Sequence, residues 1–455
     1  MIRVVSALVA AALVAAILVA ACAGRPSGPN ILLVTIETLR KDHVGATRNG
    51  VALTPNLDAL AARGSSFDRA YAAASFTLPS LHTIATGEPP GVHGVRFWTQ
   101  FGNPFTGKSI AELMQSAGYR TGFVYSAQGP LHVYPTLQRG WTETPVEFER
   151  QDADAVLTAT GQWLDRHGSE PFFLWVHLFE PHTPYGPADE FVKEPADLDL
   201  YRRVGPATFK VQDWADRVPG GRGAELADAL YDADVRAADA AVARLLADLT
   251  QRGLAANTVV CVVADHGENL SRDPEPRWDH GTSTDEQLIH VPLIVAGPGI
   301  PVGRDQTIAR HLDLAPTLLH LAGIDPPREW LGRDLFSNVP PPQFAIAEGT
   351  TNDARDSPFY SVTDGARSLR IFTAPAPWRV ELRSERDRGA SPLPVDMNQP
   401  GEALRPYVAA FKAEAEYCRQ RAAALNDSSK THGAEDPEQQ RVFDMGGPYI
   451  GAEKR

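Results

Sequence analysis

Four short polar stretches carry the side chains that chemistry needs, and each follows an apolar run. In "TIETLRKDH", Glu37 closes the run and Arg40, Lys41, Asp42 and His43 come after it. "SFTLPSLH" holds Thr77 and Ser80. "LFEPHTPY" holds Glu180 and His182. "VVADHGENL" holds Asp265 and His266, and His280 follows in "RWDHGT". Hydroxyls, carboxylates and imidazoles in these combinations serve nucleophilic and acid–base catalysis. The Asp265–His266 pair at the end of an apolar run points to function more than to core, because an ionised carboxylate is costly to bury unpaired. Thr77 admits two readings. Thr77 or Ser80 would cap a helix by accepting backbone N–H bonds, with Pro79 tolerated in the first turn. The same helix N-terminus would also favour an alkoxide and an anionic ester facing it, which makes Thr77 a candidate nucleophile.

The elements that must position these residues are legible as alternating patterns. "NILLVTI" begins at Asn30 and is continuously apolar, as a strand buried on both faces should be. Similar runs lie at 121–127, 171–179, 258–265 and 291–297. Between them, amphipathic helices are expected over 56–64, 109–118 and 224–253, each closed by a glycine or ending beside one. Buried strands alternating with helices predict an α/β fold: a doubly wound, mostly parallel sheet flanked by helices. In such sheets the ligand crevice lies at the carboxyl ends of the strands, where the four polar stretches fall. From about residue 340 the texture changes. A proline break, an alternating stretch over 366–384 and a strong helical pattern over 403–425 predict a smaller C-terminal α+β subdomain. The expected domains are therefore 30–339 for catalysis and 340–455 for the subdomain with its polar tail.

The first residues form a different kind of segment. Arg3 precedes an apolar run that ends in Val19-Ala20-Ala21-Cys22. Residues 1–21 are read as a signal peptide of lipoprotein type, and 22–29 as a tether. The expectation is export to a bacterial cell envelope, with the membrane reached through lipid on Cys22. The alternative is an uncleaved N-terminal membrane anchor. Cys261 falls in an apolar run and reads as a packing residue, and nothing in the sequence supports bonding it to Cys418. The formal net charge is −13 and there is no long Lys/Arg run, so no nucleic-acid partner is expected. Phe97, Trp98 and Phe101 read as core before pocket, and Asp313 as the cap of a following helix.

The ordered pieces resemble one family. "NILLVTIETLRKDH", "TPNLD", Thr77-Leu-Pro-Ser, Thr86-Gly, His93-Gly, "EPHTPY", "DHGE", His280-Gly, "VPLIVAGPGI" and "DLAPTLLHLAGI" run collinearly over about 30–336. Together they resemble the sulfatase family, within the alkaline-phosphatase-like metallohydrolases. The resemblance implies a divalent metal held by Glu37, Thr77, Asp265 and His266. That oxygen/nitrogen set suits zinc or manganese, with calcium as the lesser alternative. It implies that His182 and His280 contact the substrate or, as in two-metal relatives, a second metal, with a pocket histidine at His93, a basic residue at Arg40 and an acidic neighbour at Glu180. Three positions depart from the family pattern. Glu37 replaces the usual Asp, Leu81 stands where sulfatases carry an arginine, and Thr77 replaces the cysteine or serine that becomes formylglycine. Threonine cannot form that aldehyde. The expected activity is therefore hydrolysis of anionic esters through a Thr77 nucleophile, phosphate or phosphonate before sulfate, on a small-molecule, lipid or glycan substrate. The alternatives are transfer of a phospho group to an envelope acceptor, and a decayed surface binding protein.

Overall fold

The structure is a computed structural model that describes residues 26, 28–96, 105–127, 131–149, 153–208, 210–271, 277–349, 359–372, 379–384, 393–394, 397 and 399–429. Cys22, the signal and most of the tether, Phe97, Trp98, Phe101 and the polar tail lie outside those residues.

The principal strands are β1 (Asn30–Ile36), β2 (Ser65–Tyr71), β3 (Arg120–Ala127), β4 (Val146–Glu149), β5 (Phe172–Leu178), β6 (Thr258–Ala264), β7 (His290–Val291), β8 (Leu293–Ala296) and β9 (Gly303–Arg310). They form one nine-stranded sheet. Its centre is β6-β1-β5, with both pairings parallel. β3 and then β4 extend one side in parallel. On the other side β8 pairs antiparallel with β6 and β2, β7 also pairs antiparallel with β2, and β9 closes the edge parallel to β2. All seven residues of β1, β5 and β6 are buried, which is why these strands read as unbroken apolar runs. β2 and β9 were not visible as apolar runs. "SSFDRAY" mixes polar with apolar residues, and the first half of β9 is largely solvent-exposed at the sheet edge.

Helices flank this sheet: α1 (Pro55–Ala61), α2 (Thr77–Thr86), α3 (Pro90–His93), α4 (Ile110–Ser116), α5 (Ala153–His167), α6 (Pro195–Val204), α7 (Gly223–Gln251) and α8 (His311–Leu321). α4 starts with a reciprocal capping box, in which Glu112 N–H donates to Ser109 Oγ and Ser109 N–H donates to the Glu112 carboxylate. Asp313 is the third residue of α8 and not its cap. It reaches back to accept the Arg310 N–H at 2.9 Å and also accepts the Arg333 N–H at 2.9 Å.

A second, five-stranded sheet is an antiparallel meander of β10 (Ala345–Gly349), β11 (Phe359–Thr363), β12 (Arg367–Phe372), β13 (Arg379–Ser384) and β14 (Leu393–Pro394). The long helix α9 (Arg405–Ser429) packs Tyr407, Val408 and Phe411 onto Val362, Leu369 and Ile371 of that sheet. The small sheet is tied to the large one beside α2: Glu348 N–H donates to Ala73 C=O at 2.8 Å, and Ala74 bridges to Glu348. Cys261 is buried in β6 and Cys418 lies on α9, and both are free thiols. Among the described residues no helix is long and apolar enough to cross a membrane.

Candidate active site

The register of the central strands delivers the site. Glu37 is the first residue after β1 and Asp265 the first after β6. The two strand ends stay tied by Glu37 N–H to Leu178 C=O at 3.0 Å and Asp265 N–H to Ile36 C=O at 3.3 Å. The next residue, Thr38, has φ +56°, a left-handed backbone unusual for a β-branched side chain. That turn aims its N–H at Asp265 Oδ1, 3.0 Å away. Such local strain persists where the surrounding structure over-determines it, and it concentrates at functional sites.

Thr77 enters from α2. It is the first helical residue, the residue before it is Phe76, and no side chain caps this helix end. The capping reading of Thr77 therefore fails. Ser80 does not cap either: it lies inside the helix and its hydroxyl donates to Ala74 C=O at 2.9 Å. Thr77 Oγ1 lies 3.0 Å from Glu37 Oε1 and 3.2 Å from His266 Nε2. Its one hydrogen can satisfy only one of them.

Hydrogen bonds to fixed carbonyls define the tautomers. His266 Nδ1 is 2.8 Å from Gly267 C=O, and a carbonyl only accepts, so Nδ1 carries the hydrogen and Nε2 offers a lone pair toward Thr77. Gly267 makes that turn against β7's approach segment, where a Cβ would meet Gln287 C=O at 1.9 Å. His182 bonds Thr183 C=O in the same way through Nδ1, leaving Nε2 3.9 Å from Glu37 Oε1. His280 is arranged differently. Its Nδ1 donates to Glu268 Oε1 at 3.2 Å, while Glu268 Oε2 accepts from Tyr185 O–H at 3.2 Å. The His280 ring lies 4.6 Å from that of His266 and 4.9 Å from that of His182, centroid to centroid.

Burial governs the electrostatics. It pushes Glu37 up to about 7 against the pull of His182, and raises Asp265 against the pull of His177. It lowers His182 to about 4 and takes His266 well below the usual histidine range. His280 is the exception: burial pulls it down, but the carboxylate of Glu268, helped by Glu37 and Asp265, leaves it raised. His280 is thus the one imidazole of the three whose pKa is raised, while burial lowers those of His266 and His182.

The structure therefore brings Glu37, Thr77, Asp265, His266, His182 and His280 together. It does not bring all the expected residues there. His93 is fully buried with Nε2 3.1 Å from Thr83 Oγ1 and Nδ1 accepting from Val95 N–H, nearly two turns along α2 from Thr77. Arg40 places two donors on Asp42 and a third on the C=O of Glu268, the residue that pairs with His280. Glu180 accepts the Ala153 N–H at 2.9 Å, at the start of α5. One residue was missed. His177, inside β5, places Nε2 3.6 Å from Glu37 Oε2.

The side-chain donors fit a cation. Glu37 Oε2, Asp265 Oδ2 and His177 Nε2 are buried without a hydrogen-bond partner. Ligand atoms of Glu37, His177 and Asp265 all lie within 4.8 Å of one another. The neighbouring His266 Nε2 is 3.4 Å from Asp265 Oδ2. A buried acceptor left unmet costs about 1–3 kcal/mol, and a cation bound among them would meet several at once.

A doubly wound sheet with this cluster at the carboxyl ends of its central strands defines a class, the alkaline-phosphatase-like hydrolytic enzymes. Within that class the chain belongs to the sulfatase family, whose model matches residues 29–324. It is 25% identical over 351 residues to an ulvan-active sulfatase of Formosa agariphila, an alignment covering 70% of this chain and 66% of that one, just under two thirds. It is 24% identical over 417 residues to an arylsulfatase of Clostridium perfringens, covering 74% and 84%. The phosphonate monoester hydrolase of Silicibacter pomeroyi shares the fold with a TM-score of 0.64 at 19% identity, covering 87% of this chain and 96% of that one.

Proposed function

We propose that the protein hydrolyses anionic esters with Thr77 as nucleophile, and that phosphate or phosphonate esters are cleaved faster than sulfate esters. The observation that carries this is the placement of Thr77 Oγ1 at the N-terminus of α2, within hydrogen-bond reach of Glu37 and His266. Glu37, Asp265 and His266, with Thr77, would hold a divalent metal. When bound, such an ion lowers the hydroxyl pKa and offsets charge on the ester oxygens.

The chain's own groups account for the proton movements. The Thr77 hydrogen passes to Glu37 Oε1 as Oγ1 bonds to the central atom. The ester bond to the leaving oxygen breaks, and that oxygen takes a proton from His280, held charged by Glu268. His182 orients the remaining oxygens. Water then attacks the Thr77 ester and regenerates the hydroxyl, or an acceptor alcohol does so in a transfer reaction.

A threonine ester must be opened at the central atom, because no aldehyde hydrate exists to expel it. Attack at phosphorus is well served by neutralised equatorial oxygens. The names of the relatives speak for sulfate esters, so the ester is the point to test. Purified protein assayed on aryl phosphate monoesters, diesters, phosphonates and sulfates should turn over a phosphorus ester fastest. Faster cleavage of aryl sulfate than of every phosphorus ester would overturn the proposal. Export through lipidated Cys22 also belongs to this proposal, and an intact Met1 peptide in mass spectra of the mature protein would refute it.

A further inference from the structure

We propose that His177 is a direct ligand of the metal centre, and that it turns the site toward zinc or manganese and away from calcium. This deepens the metal reading above and rests on it. His177 is the sixth of seven residues in β5, a strand otherwise made of apolar core residues. A histidine in such a place is normally neutral with both nitrogens hydrogen-bonded. His177 has one such bond, Nδ1 to Thr35 Oγ1 at 2.8 Å, and its Nε2 has none.

The geometry follows from register. Thr35 and His177 are paired across the parallel β1–β5 ladder, so their side chains share a face. Glu37 is two residues beyond Thr35 and returns to that face, and Asp265 arrives from β6 on the other flank. His177 Nε2 and Glu37 Oε2 are 3.6 Å apart. A hydrogen bond between them would have closed to about 2.9 Å. Two donors bound to one ion at about 2.0–2.2 Å lie roughly 3.0–3.6 Å apart at angles near 90–120°. The pair is spaced for an ion and not for a shared hydrogen.

Thr35 also fits the role. Its oxygen accepts Trp175 Nε1–H at 2.8 Å, and its second lone pair is placed to accept Nδ1–H of His177. A metal-bound histidine characteristically donates its other N–H to an oxygen in this way. The opposite tautomer would aim a hydrogen at Glu37 across a gap it does not bridge. His177 adds an imidazole to the carboxylates of Glu37 and Asp265, and ligand atoms of all three lie within 4.8 Å of one another. Nitrogen donors favour zinc and manganese, whereas calcium takes all-oxygen cages.

The test uses the full chain, stripped of metal and titrated with zinc, manganese or calcium. Bound metal per chain and the shift in melting temperature are read for wild type and His177→Gln. The variant should lose at least about tenfold in zinc and manganese affinity, with calcium affinity unchanged. A folded His177→Gln that binds zinc and manganese as tightly as wild type overturns the ligand assignment alone. A wild type that takes up no metal overturns the metal reading and this inference together. If His177→Gln does not fold, pulsed EPR of manganese-loaded His266→Gln decides. Coupling to an imidazole nitrogen supports the assignment, and its absence overturns it.

Discussion

Two regions of this molecule bury several charges, and they treat them in opposite ways. Where the small sheet and α9 meet the large sheet, the charges are paired. Arg96 bonds Glu348, Arg421 bonds Glu88 at 2.7 Å, and Arg310 bonds Asp313 at 2.9 Å. At the ends of β1, β5 and β6 no lysine or arginine pairs with the carboxylates of Glu37 and Asp265 among the described residues, and each keeps one oxygen without a hydrogen bond. Both regions suffer desolvation, which raises Glu37, Asp265, Glu88 and Glu348 alike. Only one region spends fold stability without recovering it internally. Consistency across levels marks structure, and a local violation marks a site.

The comparison breaks first on activity. Thr77→Ala should reduce turnover at least about 10³-fold, because a nucleophile and its base act as a unit, while circular dichroism and melting stay close to wild type. Wild-type kcat in Thr77→Ala would remove the nucleophile from the proposal. The second contrast is one of sign. In metal-stripped protein at pH 8, Glu37→Gln or Asp265→Asn should raise stability by about 1–3 kcal/mol, since each removes a buried carboxylate that burial disfavours in its ionised form. Arg96→Met should lower it by about 1–3 kcal/mol, since it strands Glu348. Urea melts of the three variants test this, and equal signs would erase the distinction between the regions.

Much of this architecture could be read before the fold was known. β1, β3, β5 and β6 announce themselves as apolar runs, and Glu37, Asp265 and His266 stand where those runs stop. His177 could not be found that way. It interrupts "FFLWVHLF" without changing its apolar character, and only the pairing of Thr35 with His177 shows that it faces Glu37. His93 and Arg40 lie in motifs that run beside the site, where Thr83 holds His93 and Asp42 and the Glu268 carbonyl hold Arg40. Sequence position reports which strand end a residue occupies, and not which way its side chain turns.

The paired region has a weak point, and pH should expose it. Glu414 lies with Arg96, Glu348 and Cys418 around a cavity of about 200 Å³ between α3, α9 and the small sheet. Burial raises it from 4.5 to about 7, against the pull of Arg310 and with Glu348 adding to the rise. A carboxyl raised in the folded state is stabilising in its protonated form. Its contribution is full below pH 4.5 and lost as pH rises toward 7. Glu414→Gln should remove that loss, so the variant should gain about 1–2 kcal/mol over wild type at pH 8 and nothing at pH 4. A constant difference across that range in melts would show that Glu414 is not held protonated.

The smallest effect concerns the segment that joins the two regions. Ala74 carries the bridge to Glu348 of the small sheet, and its carbonyl accepts the Ser80 hydroxyl at 2.9 Å. Ser80 thereby ties the loop before Thr77 to the helix that begins with it. Both atoms are buried, so Ser80→Ala leaves an acceptor unmet and should cost about 1–2 kcal/mol in chemical denaturation. Because Glu348 N–H still holds Ala73, the loop keeps a second tie and Thr77 keeps its place. The kcat should therefore stay within about threefold of wild type, well under the tenfold that 1.4 kcal/mol on the barrier would produce. A large fall in kcat with unchanged stability would mean that Ser80, and not only Thr77, acts in the chemistry.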